Sequence, residues 1–359
     1  MSDSSEIQEK IQASLAKLRD PETGRELSKS NQVDSLTVDG DQVVCTVRLT
    51  THSWPIKDEF QDKVEETIRS AFPAASSVTV NIEPLDRPPV AIGQIGLQAR
   101  NVIAVGSGKG GVGKSTIAAS LALSLAKAGA KVGLMDADVY GPSVPHLLGI
   151  SGRPEVVNGK IRPIYFGQIP VMSMGFLIEP DQAVIWRGPM LHGSISQFLR
   201  DTYWGPLDYL IIDMPPGTGD IALTLSQMIP LTGAVVVCTP QQVALLDAVK
   251  AIAMFRKVKI PVLGMVENMS GFVCPDCGKR YDIFGRGGAR EKAEEMGVPF
   301  LGEVPLNMQL RQQSDTGNLS DALEDPICKS ALDKIMRSMI RRVGQRAAEA
   351  PTGAALPVL

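Results

Sequence analysis

The stretch Gly106–Thr116, GSGKGGVGKST, constrains this chain more than any other, because it dictates what must lie on either side of it. It follows the apolar run Val102–Val105 and leads into a helical pattern over Ser115–Lys127. Gly108, Gly113, Lys114 and Ser115 occupy the spacing G-x-x-x-x-G-K-[ST]. Phosphate oxygens must be met by successive backbone N–H groups, and only glycine lets the backbone approach that closely in the required conformations. The candidate cradle therefore runs through Gly108, Lys109, Gly110, Gly111, Val112, Gly113, Lys114, Ser115 and Thr116. The helix that starts there points its positive end at the same phosphates. Lys114 is expected to reach the β- and γ-phosphates of ATP, and the Ser115 hydroxyl to ligate Mg²⁺.

The surrounding pattern agrees with such a loop. Val102–Val105, Val132–Met135, Leu210–Ile212, Val235–Val237 and Val262–Val266 are apolar on consecutive residues, as strands covered by helices on both faces are. Helical patterns alternate with them at Ser115–Lys127, Ile221–Met228, Val243–Val258, Ala289–Met296 and Pro326–Val343. This rhythm over residues 101–347 predicts an α/β fold, a doubly wound and mainly parallel sheet with ligands at the carboxyl ends of its strands. Residues 1–85 read as a separate small α+β domain of order αββαβ. Its helices carry Ile7, Ile11, Leu15 and Leu18, then Ile56, Phe60, Val64, Ile68 and Phe72; its strands are Gln32–Val38, Gln42–Leu49 and a run through Val78, Val80 and Ile82. Residues 86–100 read as a linker and 348–359 as a flexible tail. At 359 residues the chain has room for two or three domains. Its net charge of −3 supplies no strong positive field for nucleic acid. No apolar run reaches the roughly 18 residues of a membrane span, and the start MSDSSEIQEK lacks the pattern of a secretory signal. A cytoplasmic protein that binds neither nucleic acid nor membrane is expected, with its five cysteines reduced.

Carboxylates stand where the phosphates should lie. Asp136 and Asp138 follow the strand Val132–Met135, and Asp213 follows Tyr209–Ile212. An Asp after an apolar strand is the expected carboxylate on the Mg²⁺ side of such a site, which assigns that place to Asp213. Asp136 is expected to support the loop. Lys109, a second lysine inside KGGVGKS, resembles the deviant motif of the MinD, ParA and nitrogenase-iron-protein branch of P-loop ATPases. That resemblance implies a nucleotide-sandwich homodimer in which Lys109 crosses to the partner's nucleotide; read alone, Lys109 adds positive charge beside its own phosphates. It further implies that Asp138 orients the attacking water and that Asn268, in VENMS, reads the adenine edge. Gly217, with Thr218-Gly219-Asp220, is read as a second switch sensing the γ-phosphate. On their own, Asp220 reads equally as a helix cap and Asn268 as a turn residue.

Cys274 and Cys277, in FVCPDCG, have the spacing to chelate one metal centre. A redox dithiol would need a thioredoxin-like setting, and a zinc ribbon a second such pair. Cys45, Cys238 and Cys328 stand alone and read as core thiols. Two copies of the chain would bring four thiolates together, suiting a [4Fe–4S] cluster or Zn²⁺; spacing does not choose between them. The chain resembles the Mrp/ApbC family of iron–sulfur cluster carrier ATPases. GKGGVGKST, DADVYGPSVPHLLG, WRGPM (Trp186 to Met190), DMPPGTGD, ENMSGFVCPDCG, IFGRGG and LGEVPL carry the resemblance, over about residues 101–318. It implies that Cys274 and Cys277 hold a labile [4Fe–4S] cluster bridging a homodimer. ATP binding or slow hydrolysis would gate its transfer from cluster scaffold proteins to apo iron–sulfur proteins. Residues 1–85 resemble the small iron–sulfur-assembly domain fused to many members, but Trp54 stands where related domains often carry a cysteine before Pro55. His52 reads as a surface or turn residue. The rival from another class is a MinD- or ParA-like positioning ATPase acting on membrane or DNA, for which the basic amphipathic stretch Ile327–Val343 would be the targeting helix.

Overall fold

The computed structural model describes residues 2–139, 141–177, 188–217 and 219–349. Expectations attached to Tyr140, Trp186, Arg187, Thr218 and residues 350–359 fall outside them. The chain divides into two compact units, Met1–Arg87 with the segment from Ile340, and Pro88–Met339.

In the first unit α1 (Ser2–Leu15) precedes the hairpin β1 (Val33–Asp39) and β2 (Gln42–Leu49); α2 (Lys57–Ala71) then crosses to β3 (Ser77–Pro84). β1 pairs with β2 antiparallel and β2 with β3 parallel, so the αββαβ order is observed. The four-residue beat of α2 lays Phe60, Val64 and Ile68 against Val43, Cys45, Val47 and Leu49 of β2, with Ile11 and Leu15 of α1 closing the same core. His52 lies in the 3-10 turn Thr51–Ile56, as the turn alternative had it, but is fully buried and not at the surface. Pro55 helps set that turn, and the turn directs the imidazole inward, where Nδ1 lies 3.3 Å from Ser53 Oγ.

The second unit opens with β4 (Ala91–Ile92) and β5 (Leu97–Gly106), followed by α3 (Lys114–Lys127), β6 (Val132–Asp136) and α4 (Val144–Leu148). Four short strands come next, β7 (Glu155–Val157), β8 (Lys160–Arg162), β9 (Ile164–Phe166) and β10 (Ile169–Ser173), then α5 (Gly188–Asp201). The alternation resumes with β11 (Leu207–Asp213), α6 (Gly219–Met228), β12 (Gly233–Cys238) and α7 (Gln242–Lys257). It ends with β13 (Val262–Val273), β14 (Arg280–Tyr281), α8 (Gly288–Glu295), β15 (Phe300–Leu306), α9 (Met308–Asp315), α10 (Leu319–Ala322) and α11 (Pro326–Glu349).

A ten-stranded sheet runs β14-β13-β12-β5-β11-β6-β10-β9, with β15 also beside β13 and β4 beside β5. The strands from β13 to β10 along this path are mutually parallel, and β9 and β14 join antiparallel. The doubly wound reading holds. Burial on both faces is what the consecutive apolar runs encode: Val102–Val105 are wholly inaccessible, as are Leu210, Ile211 and Ile212. Each Val, Ile or Leu side chain among them contributes about 1.5–3 kcal/mol when withdrawn from water. Register then aligns the chemistry, since Asp213 at the end of β11 stands opposite both Val105 of β5 and Asp136 of β6. On α11, Leu332, Ile335 and Met336 are buried in the fold and so are not free to serve a surface-targeting face, although Ile327 at its start is exposed. No helix among the described residues is long and apolar enough to cross a membrane.

Candidate functional site

The loop between β5 and α3 needs its glycines for space as well as conformation. Gly113 has φ 78°, and a Cβ there would lie 2.2 Å from Asn268 Nδ2. At Gly108 a Cβ would meet the Asp247 carbonyl oxygen of α7 at 2.0 Å. Gly110 and Gly111 remain exposed, so the loop is open on its outer side. Below it β11 is clasped to the loop, with the Met214 N–H donating to Val105 O at 2.9 Å and the Gly217 N–H to Ser107 O at 3.0 Å.

Lys114 is folded into the site and is only 6% exposed. Its Nζ donates to Asp213 Oδ1 at 2.6 Å and lies 3.1 Å from Ser115 Oγ and 3.5 Å from Asp138 Oδ2. The structure thus brings Lys114, Ser115, Asp138 and Asp213 together. Full burial pushes Asp213 above the usual carboxylate range, with the Lys114 ammonium opposing it. Asp213 Oδ2 is buried without a hydrogen-bond partner among the described residues. An orphaned carboxylate oxygen near a helix-start hydroxyl fits a divalent cation, and the open glycine loop above it fits phosphate. Asp136 serves differently. Its carboxylate accepts from the N–H groups of Asp138 at 3.1 Å and Val144 at 3.2 Å and from Ser173 Oγ at 2.9 Å, anchoring the segment that carries Asp138. Burial and the adjacent Asp213 push Asp136 up to about 8.

Lys109 is half-exposed, its carbonyl accepting from Ser107 Oγ at 2.9 Å. Close by, α7 leaves Val243 64% and Leu246 60% exposed, the first one turn ahead of Asp247, whose carbonyl packs on Gly108, and the second next to it. Asn268 sits where sequence alone did not place it. It is buried, and its amide donates to Val112 O at 2.9 Å, so its nitrogen props the phosphate loop.

Past Asn268, β13 runs to Val273 and turns through the cysteine pair. The Cys274 N–H donates to Lys279 O and the Gly278 N–H to Cys274 O, both at 2.9 Å, and β14 returns alongside. Cys274 is half-buried and Cys277 exposed. The backbone N–H groups of Cys277 and Asp276 and the Cys277 thiol hold Cys274 below the ordinary thiol range. The other cysteines are sealed: burial pushes Cys45 up to about 11, and Cys238 and Cys328 up to about 12. No group of three or more metal-binding side chains gathers among the described residues, so one copy offers this site two thiols.

Glu267 escaped the sequence reading. Fully buried beside Asn268, it accepts from Ser270 Oγ at 2.6 Å and from the Gly287 and Ala289 N–H groups at 2.8 Å each, fastening the start of α8 to the cysteine strand. The available signal was a charged residue inside an otherwise apolar strand, upstream of the glycines at 287 and 288.

Comparison with known proteins follows the same division. The family model for NUBPL iron-transfer P-loop NTPases, of the ParA group, matches residues 98–342, and that for iron–sulfur cluster assembly proteins matches residues 8–82. An iron–sulfur cluster carrier protein of Deinococcus radiodurans is 45% identical over 339 residues, covering 92% of this chain and 94% of its own. One from Synechocystis is 46% identical over 311 residues, covering 84% and 88%. Among solved structures, a nucleotide-binding protein of Archaeoglobus fulgidus in complex with ADP is 43% identical with a TM-score of 0.57, covering 65% of this chain and 91% of that one. The cell division ATPase MinD of Pyrococcus furiosus, 23% identical with a TM-score of 0.50 over 67% of this chain and 98% of its own, shares the fold. The matched span, 98–342, contains the phosphate loop, the strand-end carboxylates and the thiol hairpin, and the chain belongs to the iron-transfer P-loop NTPases, the family of the iron–sulfur cluster carrier proteins.

Proposed function

We propose that this chain is an ATP-hydrolysing carrier that holds a [4Fe–4S] cluster between Cys274 and Cys277 of two copies, receives it from scaffold proteins and delivers it to apo iron–sulfur proteins. The observation that carries this reading is the thiol hairpin itself. Its two sulfurs are the accessible ones among five, in the turn that follows a strand touching the phosphate loop. Four thiolates satisfy a cubane cluster, and a two-fold axis supplies them from two hairpins. The exposed Val243 and Leu246 beside the loop suit burial against a second copy, which would also bring Lys109 to the partner's nucleotide.

At the nucleotide, Lys114 exchanges its contact with Asp213 for the β- and γ-phosphates, while the loop N–H groups take the remaining oxygens. A Mg²⁺ ion held by Ser115 on the side of Asp213 would neutralise charge developing on the phosphates. Asp138, 3.5 Å from Lys114 and anchored through Asp136, would orient the attacking water, a role its nearness to Lys114 supports. Nucleotide state would bias cluster loading against release by about 1–3 kcal/mol, the ordinary size of coupling between two sites. The experiment is anaerobic reconstitution with iron and sulfide, followed by elemental analysis, a visible spectrum and solution scattering. Stoichiometric iron and sulfide in a dimer, lost in Cys274→Ser and Cys277→Ser, is the expected result. Zinc binding without any iron–sulfur absorption, or a loaded monomer, refutes it.

A further inference from the structure

The strand that carries the cysteines leaves regular pairing directly after it touches the phosphate loop. Asn268 of β13 stands opposite Val304 and Phe272 opposite Leu306, so residues 269–271 face a single residue of β15. Met269 has φ 59° and Gly271 φ 69°, a bulge held in left-handed conformations. Its loop end is the Asn268 amide, which donates to Val112 O at 2.9 Å and lies against Gly113. Its other end is Arg280 of β14, whose Nη2 donates to the Ser270 carbonyl at 2.9 Å. The Arg280 guanidinium lies where a Cβ on Gly271 would be, 2.7 Å away, and Arg280 pairs with Val273, the neighbour of Cys274. Ser270 Oγ bridges Glu267 and Glu303 at 2.6 and 3.2 Å, fixing the middle of the bulge. Two hydrogen bonds, linked by the chain from Asn268 to Ser270, therefore join Val112 to the base of the hairpin.

Resting on the carrier reading above, we infer that Asn268 and Arg280 are positioning residues. They tie the phosphate loop to the cysteine hairpin through the bulge at 269–271, so that nucleotide occupancy and the geometry of the Cys274 and Cys277 thiols shift together. A laddered strand would spread a displacement over its neighbours, whereas a bulge with bonded ends passes it along the chain. The linkage is reciprocal, and a bound cluster changes nucleotide affinity by the same factor as nucleotide changes cluster affinity.

The test uses the full-length chain reconstituted with iron and sulfide. Cluster loss to an iron chelator is timed with and without a non-hydrolysable ATP analogue, and the analogue's affinity is measured with and without cluster. In the unmodified chain the two rates are expected to differ by about 5- to 150-fold, the range of ordinary coupling. Arg280→Ala brings the ratio toward one, Arg280→Lys restores part of it, and Gly271→Ala, whose methyl collides with the guanidinium, lowers it as well. Should Arg280→Ala hold no cluster, Asn268→Ser, at the loop end of the same tie, takes its place, and a ratio near one is again the expected result. An unaltered ratio in either variant with full iron content overturns the inference and leaves the carrier reading intact. A ratio of one in the unmodified chain overturns nucleotide gating itself, and this inference with it.

Discussion

Glu267→Gln is an informative probe of how the cysteine strand is held. The carboxylate is fully buried and accepts three hydrogen bonds, from Ser270 Oγ, the Gly287 N–H and the Ala289 N–H. Glutamine keeps the volume but offers one oxygen and one NH₂. In its better orientation the oxygen serves Ser270 and Gly287, and the NH₂ faces the Ala289 N–H, donor against donor. An orphaned buried N–H costs about 1–3 kcal/mol, and removing the charge from the start of α8 costs about 0.3–1 kcal/mol more. Neutralising a buried carboxylate also recovers part of its desolvation cost. With three charge-assisted bonds at about 1.5–3 kcal/mol each, that recovery does not reverse the sign. A net loss of about 1–4 kcal/mol corresponds to a transition about 2–16 °C lower for a unit of this size. Thermal unfolding followed by near-ultraviolet dichroism, with hydrogen exchange at Ala289, reads both the global and the local effect. An unshifted midpoint together with a still-protected Ala289 amide would refute the reasoning.

Lys114→Ala should weaken ATP binding at least about 30-fold by calorimetry, because truncating one partner of a desolvated charge pair costs about 2 kcal/mol or more. It also strands Asp213, so the nucleotide-free protein should lose about 3–5 kcal/mol at neutral pH; an unchanged affinity would contradict its place at the phosphates. Asp138→Ala should slow ATP turnover by on the order of 10²-fold, with a much smaller change in nucleotide Kd. Equal losses in both would assign it to binding instead. In the cluster-free protein the N–H groups of Cys277 and Asp276 favour the Cys274 thiolate. Its alkylation should therefore reach half-maximal rate below the ordinary thiol value of about 8.5 and stay fast as pH falls toward neutrality. A midpoint at or above that value, located by mass spectrometry, would refute the hydrogen bonding to its sulfur.

The sheet was legible because strands buried on both faces leave uninterrupted apolar runs, and β5, β6, β11, β12 and the start of β13 all do so. Phosphate-loop chemistry is written in contiguous residues, so Gly108 to Thr116 could be read without a fold. The segment from β7 to α5 was not legible. Its strands are three to five residues long, and Glu155–Val157 is exposed throughout, so no periodicity marks it. Side-chain partners across long separations were equally hidden. Asn268 meets Val112 from 156 positions away, and nothing local to VENMS announces that contact. Glu267 carried a clue in its charge, but its partners arrive only when α8 folds back. For His52 the turn was legible from the nearby Pro55 but its burial was not, because a lone polar residue looks like surface until the 3-10 turn folds it inward.

Three of the five sulfurs are walled into packed interiors, which leaves the hairpin as a single address for soft metal ions. That arrangement spares the core from stray chelation, but it also leaves the exposed hairpin open to competing metal ions. Copper(I) and zinc favour thiolate ligands as strongly as iron does or more so. If the hairpin holds iron as proposed, selectivity must come from what is supplied to it, not from the two thiols themselves.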